Sequence, residues 1–123
     1  MRDYIFHGKR VDNGEWVEGY LGYNKVRKQY YIMDDVDSFP IPVHKESVGQ
    51  YTGMKDIVGK RIFEGDIMET AITGITSHRG VVEFADGAFG LRCTDGSAYL
   101  LCFIAENYSI IGTVFDNVDL LEE

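Results

Sequence analysis

The stretch QYTGMKDIVGKRIFEGDIM, Gln50 to Met68, decides the fold of this chain. Short strand-like runs at its beginning and end are interrupted by three glycines, Gly53, Gly59 and Gly65. Glycine tolerates positive φ, so each of the three is expected to mark a tight turn. The stretch therefore predicts short strands joined by turns, and no reaction follows from it.

The composition agrees with a β fold. The 123 residues are 45% hydrophobic and 26% charged, which is typical of an ordinary globular protein. Eight Tyr and seven Phe against only two Pro favour pleated strands over helices. We expect a mainly β protein, an antiparallel meander with little helix, divided into an N-terminal β-hairpin lobe and loop, 1–47, and a C-terminal part, 48–123.

Three dipeptides typical of β-hairpin turns punctuate the chain: Asn13-Gly14, Asp86-Gly87 and Asp95-Gly96. Each lies between runs rich in aromatic and β-branched residues, which is a strong local signal for a hairpin. A two-residue loop at the first dipeptide would pair Val11 with Trp16, Lys9 with Glu18 and Phe6 with Leu21.

The other two dipeptides predict a three-stranded sheet with one apolar face. At Asp86-Gly87 the expected pairs are Ala85 with Ala88, Phe84 with Phe89 and Val82 with Leu91. At Asp95-Gly96 the expected pairs are Cys93 with Ala98, Leu91 with Leu100 and Phe89 with Cys102. We expect the shared face to be a core face, the apolar run Ala98 to Ala105 to be a buried strand or helix, and both cysteines to be buried free thiols.

The remaining segments are less regular. Between Asn24 and Lys45 we expect one strand, Tyr30 to Met33, followed by an extended loop that contains both prolines. Thr70 to Arg79 is expected to be an exposed excursion between strands. The run Tyr108 to Phe115 predicts a last strand, after which Asp116 or Asn117 can cap a short turn carrying Leu120 and Leu121.

Charge limits the choice of partner. A net charge of −8 means that a phosphate-binding surface would form against the field of the molecule, which argues against nucleic acid. One basic run interleaved with aromatics is the exception, and its candidate binding residues are Lys25, Arg27, Lys28, Tyr30 and Tyr31. Such a run more often forms a solvated loop. With no secretory signal and no apolar run of about 20 residues, we expect a cytoplasmic protein without membrane contact.

No pattern indicates a metal or cofactor site. His7, His44 and His78 are widely separated and lack the spacing of zinc ligands. The acidic cluster Asp34 to Asp37 lacks the oxygen ligand and the glycine that a calcium loop needs at the following positions. The histidines are expected to be surface residues, and we expect neither a cofactor nor a metal.

The stretch from Gln50 to Met68 also carries no catalytic pattern; it is called the signature stretch below. Gly53 to Arg61 imitates a phosphate-binding loop, but it has one residue too many between its glycines and ends in arginine where the magnesium ligand belongs. Glu64 and Asp66 could offer two carboxylates, yet Gly65 between them predicts a turn whose acidic groups accept hydrogen bonds from backbone amides. We expect no catalytic residue and no enzymatic activity.

The same stretch resembles the signature of the YopX family of phage and prophage proteins, in which Tyr-Thr-Gly-x-Lys-Asp and Ile-[Phe/Tyr]-Glu-Gly-Asp-Ile recur at this spacing. Gly80 to Phe89 and Ile110 to Leu121 resemble the family in the same order. The chain departs from it at Thr113, where the family has Asn, and at Val118, where it has Pro. The resemblance implies a mainly β fold whose C-terminal part, 48–123, is a small SH3-like barrel, and it implies no established activity.

These observations favour a non-enzymatic phage or prophage accessory protein that binds a protein, either its own copies or a host factor. One alternative is a single-stranded nucleic-acid module that uses the five candidate residues between 25 and 31. The other is an acidic mimic of DNA that occupies a host DNA-binding protein.

Overall fold

The computed structural model describes residues 4–33, 39–70 and 79–121. Internal contacts divide the chain into unit 1, Met1–Tyr51, and unit 2, Thr52–Glu123. The boundary expected after residue 47 remains a prediction. Within the described ranges, every helix is too short or too polar to cross a membrane.

The strands of unit 1 are β1 (Phe6–Lys9), β2 (Trp16–Asn24), β3 (Gln29–Met33) and β4 (Ile41–Val43), with a 3-10 helix at Lys45–Ser47. Strand β5 (Gly49–Lys55) begins in unit 1 and belongs to unit 2 from Thr52 onward. Unit 2 contains β6 (Arg61–Phe63), β7 (Asp66–Thr70), β8 (Arg79–Ala85), β9 (Ala88–Cys93), β10 (Ala98–Leu100) and β11 (Tyr108–Thr113). Its helices are α1 (Leu101–Ile104) and 3-10 turns at Ala105–Asn107 and Val118–Leu121. The prediction of a mainly β protein with little helix is confirmed.

The sheet of unit 1 is antiparallel, with strand order β4-β3-β2-β1-β5. Its fully buried side chains include Ile32 and Val43. His7 is buried too, with its ring 4.5 Å from that of Trp16. The expectation that the histidines are surface residues is therefore wrong for His7, because its strand directs it under an aromatic side chain.

Unit 2 is built on a five-stranded antiparallel sheet with order β10-β9-β8-β7-β11. The C-terminal half of β5 pairs with β6 in the same unit. Its buried cluster includes Ile62, Met68, Val82, Leu91 and Leu101. Consecutive strands β7 to β10 form the meander expected from the sequence, while the SH3-like barrel remains a prediction.

The Asp86-Gly87 hairpin has the predicted register, with Ala85 opposite Ala88 and Phe84 opposite Phe89. Both turn residues have positive φ, 53° and 82°, as a type I′ turn requires. The predicted core face extends only part of the way along the strands, since Val82 is buried but Phe84 is 54% exposed. Phe84 lies next to the exposed turn and makes an edge contact with Phe89 at 5.0 Å between ring centres.

The predicted register at Asp95-Gly96 is wrong by one residue. The amide of Cys93 donates to the Ser97 carbonyl at 2.8 Å, so the loop has three residues and ends at Gly96, whose φ is 93°. The observed pairs are Ala98 with Arg92, Tyr99 with Leu91 and Leu100 with Gly90. A one-residue shift turns every side chain of the third strand to the opposite face.

The shift changes the environment of the apolar run that follows. Leu101 and Ala105 are buried, whereas Leu100 is 48% exposed and Phe103 is 76% exposed. Cys102 lies on α1 rather than on a third strand and is exposed. The expected burial of the whole run, and of Cys102, is therefore wrong; both cysteines are free thiols, as predicted.

The first hairpin differs from its prediction by two residues. The amide of Arg10 donates to the Glu15 carbonyl at 2.8 Å, which leaves a four-residue loop around Asn13-Gly14. Lys9 is therefore opposite Trp16 instead of Glu18. The lysine ammonium lies 6.0 Å from the centre of the Trp16 ring.

Three further expectations concern the loops. The strand at Tyr30 to Met33 is confirmed as β3, but the extended loop expected after it contains β4, an edge strand that accommodates Pro42. Within the expected excursion, residues 71–78 lie outside the described residues. The last strand ends at Thr113, and the Asn117 side chain accepts a hydrogen bond from the Thr113 amide at 3.1 Å before the final 3-10 turn.

Gly87→Val should lower the free energy of unfolding by about 1–3 kcal/mol, because a β-branched residue resists positive φ. A Cβ at Gly87 would meet no atom within 4 Å, so the whole cost is backbone strain. Ala88→Val, in the adjacent strand, is the matched control and should be much milder. Denaturant titrations compare the two, and equal midpoints would contradict the type I′ turn.

Cys102 should react with iodoacetamide in the native protein, whereas Cys93 should react only after unfolding. Burial raises the pKa of the Cys93 thiol and repulsion from Asp95 adds to this effect, although a hydrogen bond with Ser97 opposes it. The thiolate of Cys93 is therefore scarce at neutral pH. Peptide mass spectrometry after brief alkylation measures both sites, with Cys102→Ser as control; comparable native labelling of Cys93 would contradict the register.

Candidate functional site

Two acidic residues of the signature stretch, Glu64 and Asp66, were considered for chemistry from the sequence, and the structure adds Asp56 to them. Its carboxylate is buried, and one oxygen accepts hydrogen bonds from the amides of Val58 at 3.0 Å and Lys60 at 2.8 Å. The other oxygen accepts from the Ile110 amide at 3.1 Å. Three backbone donors therefore occupy this carboxylate, and sequence reasoning missed this because the third donor is distant in the chain.

Asp66 has a similar role at the next turn. It is 3% exposed, and one of its oxygens accepts a hydrogen bond from the Phe63 amide at 2.8 Å across the turn Glu64-Gly65. The prediction that this turn uses its acidic group to bind a backbone amide is confirmed. The three signature glycines also have the expected positive φ, 85°, 85° and 89°.

Metal ligands do not gather anywhere in the described ranges: 4–33, 39–70 and 79–121 contain no group of three His, Cys, Asp or Glu side chains able to hold an ion. The acidic cluster considered for calcium, Asp34 to Asp37, lies outside these ranges, as does His78.

The basic run is the β2–β3 turn. Lys25, Arg27 and Lys28 are exposed, and Tyr30 and Tyr31 are partly buried on β3. Tyr30 is paired with Tyr23, with ring centres 4.6 Å apart, whereas Tyr31 is paired with Gly22. Neighbouring residues of a strand point to opposite faces, so the two tyrosines cannot form one stacking groove.

Arg27 and Tyr31 line the same cavity, which has a volume of about 520 Å³ and is here named the β2–β3 cavity. Its other described lining residues are Gly22, Tyr23, Asn24, Met33 and Pro40. Of the five predicted residues, these two line the cavity, while Lys25, Lys28 and Tyr30 are not among its described lining residues.

A second candidate site lies in unit 2 and was missed from the sequence. It is the apolar surface formed by the exposed side chains at the end of β10 and on α1: Leu100, Cys102 and Phe103. Leu100 is 48% exposed and Phe103 is 76% exposed. Tyr99 is paired with the buried Leu91 and therefore points to the other face of β10. Since β10 is the edge strand of its sheet, no further strand of the described chain covers it.

A groove of small residues lies beside this apolar surface. A cavity of about 240 Å³ is lined by Ala85, Ala88, Gly90, Ala98 and Leu100, among others. The ion pair between Arg92 and Glu83, 2.7 Å long, lies at the same cavity. We call this cavity the small-residue groove. Its lining combines small and apolar residues with the charged side chains of Glu83, Asp86 and Arg92, a mixture that also occurs in protein-binding sites.

The spacing of the buried residues could have revealed the apolar surface. Leu101 and Ala105 belong to the buried cluster and are four positions apart. This is helical spacing, and it leaves Cys102 and Phe103 on the opposite side. The two-residue loop expected at Asp95-Gly96 instead predicts a strand that continues as far as Cys102.

Comparison with known proteins identifies the family. The sequence model of the family described as YopX protein matches residues 6–122. The crystal structure of protein YopX from Bacillus subtilis is similar over 99% of this chain and 98% of its own, with a TM-score of 0.60 and 17% sequence identity. No curated protein matches the chain. Because the family match covers nearly the whole sequence, the chain belongs to the YopX family.

Proposed function

We propose that the protein acts without catalysis, by binding another protein through the apolar surface and the small-residue groove of unit 2. The observation that carries this proposal is the exposure of two large apolar side chains, Leu100 and Phe103, at the end of an edge strand and on the helix that follows it. Exposed apolar residues that occur singly need no explanation, but a group of them marks an interaction site.

Burial on a partner would stabilise a complex appreciably. Fully burying a leucine or phenylalanine side chain contributes about 1.5–3 kcal/mol to the free energy of binding. Phe103 is 76% exposed, so most of its surface is still available for burial by a partner. A few anchors of this kind supply most of the affinity of a typical protein interface. Phe103 is therefore the expected principal anchor, with Leu100 beside the groove as the second.

The charge of the molecule defines the expected partner. The net charge of −8 favours a partner whose contact surface is apolar with a basic border, because opposite potentials speed encounter and exclude wrong partners. The occupied carboxylates of Asp56 and Asp66 support a structural role for the signature acids and thus a non-enzymatic protein. In this proposal the protein is a phage or prophage accessory protein that acts in the bacterial cytoplasm.

Phe103→Ser and Leu100→Ser should each abolish capture of the partner while leaving the melting temperature within a few degrees of the wild type. Neither side chain is buried, so replacing it removes little core packing. Val118→Ser, which changes another exposed side chain of unit 2, is the matched control and should bind normally.

The measurement is affinity capture from a bacterial lysate with each folded variant, combined with sedimentation velocity of the purified protein to detect self-association. A partner captured equally by the wild type and Phe103→Ser would contradict this surface as the contact. Loss of capture in Val118→Ser as well would assign the effect to unit 2 as a whole.

A further inference from the structure

We propose that the β2–β3 cavity of unit 1 binds a nucleotide, with the base against Tyr31 and the phosphate on Arg27. This site is separate from the protein-binding surface of unit 2 and uses none of its residues. Its volume of about 520 Å³ lies in the range of small-ligand sites, which are about 300–1,000 Å³.

The space exists because Gly22 has no side chain. Gly22 is directly opposite Tyr31 on β3, so both belong to one face of the sheet. A Cβ at Gly22 would meet only the terminal methyl of Met33, at 3.1 Å. Because Gly22 has no side chain, the partly buried Tyr31 remains accessible to a ligand from the cavity.

Arg27 supplies a cation for which the described residues provide no competing partner. Arg10, Arg79 and Arg92 each form an ion pair with a carboxylate, whereas the guanidinium of Arg27 has no hydrogen bond or ion pair in the described structure. None of the described residues that line the cavity is acidic. An anion entering the cavity would therefore meet a guanidinium that is available to it.

The turn that carries Arg27 is ordered before any ligand arrives. The side-chain oxygen of Asn24 accepts hydrogen bonds from the amides of Val26 and Arg27, both at 3.0 Å. The rings of Tyr23 and Tyr30, on the two strands that flank this turn, also pack together, with their centres 4.6 Å apart. A preorganised turn reduces the entropy that binding must overcome.

These groups select a ligand that is both planar and anionic. A guanidinium binds phosphate through two parallel hydrogen bonds, and a tyrosine ring stacks on any nucleobase. A simple anion would not use Tyr31 and Met33, and a neutral ring would not use Arg27. A nucleotide uses all three, and the negative field of the protein repels a single nucleotide less than a long polyanion.

Isothermal titration calorimetry of the full chain with thymidine monophosphate tests the site. We expect binding by the wild type, a loss of about tenfold in affinity for Arg27→Gln, and no measurable binding for Gly22→Val, which fills the cavity without changing charge. Lys45→Gln removes one exposed positive charge from the 3-10 helix of unit 1 and should change the affinity less than about twofold.

No heat of binding by the wild type at up to about 10 mM nucleotide would overturn the proposal, as would equal binding by all variants. Inorganic phosphate that binds as tightly as the nucleotide would also overturn it, since the base would then contribute nothing. Each of these results leaves the protein-binding proposal for unit 2 unaffected, because capture by that unit is measured with different variants.

An oligothymidylate of about eight nucleotides distinguishes a free nucleotide from one within a single strand. A strand is identified as the ligand if the oligonucleotide binds more than about tenfold more tightly than the mononucleotide and the double variant Lys25→Gln/Lys28→Gln loses this difference. The two lysines would then contact further phosphates of the strand. Equal affinities would identify the free nucleotide.

Discussion

The buried carboxylate of Asp56 is the interaction on which unit 2 depends. It accepts hydrogen bonds from two amides of its own turn and from the amide of Ile110, which lies 54 positions away. The neighbouring amide of Ile57 donates to the Tyr108 carbonyl at 3.0 Å and strengthens the same connection. Hydrogen bonds to a charged group contribute about 1.5–3 kcal/mol each, so this residue joins the signature turn to the last strand of the sheet.

Local turn chemistry explains which parts of the fold could be predicted. Asp86-Gly87 forms its two-residue loop because both residues tolerate positive φ and the strands on either side continue directly. Asp95-Gly96 forms a three-residue loop instead. The Asp95 carboxylate accepts one hydrogen bond from the Ser97 amide at 2.9 Å and another from the Ser97 hydroxyl, and these bonds stabilise the longer loop. Alanine follows the first dipeptide and serine the second, and only serine adds a side-chain hydroxyl bond to the longer loop.

The candidate sites were harder to predict, for a related reason. The run from Ala98 to Ala105 is apolar throughout, so its composition does not distinguish a buried strand from a helix with one exposed side. A single-residue change in register decided between them and moved Leu100 from the predicted core to the surface. In unit 1 the composition of the basic run correctly indicated a candidate binding segment. Strand alternation, however, places Tyr30 and Tyr31 on opposite faces of the sheet. Only Arg27 and Tyr31 of the five candidate residues line the cavity at Gly22.

Amide hydrogen exchange followed by NMR tests the role of Asp56 most directly. In Asp56→Ala, the amides of Val58, Lys60 and Ile110 should all lose protection together, while Asp119→Ala, which removes an exposed carboxylate from the same unit, should leave the three at their wild-type rates. Faster exchange at Val58 and Lys60 with unchanged protection at Ile110 would contradict the account, because the signature turn and the last strand would then be held together by something other than this carboxylate.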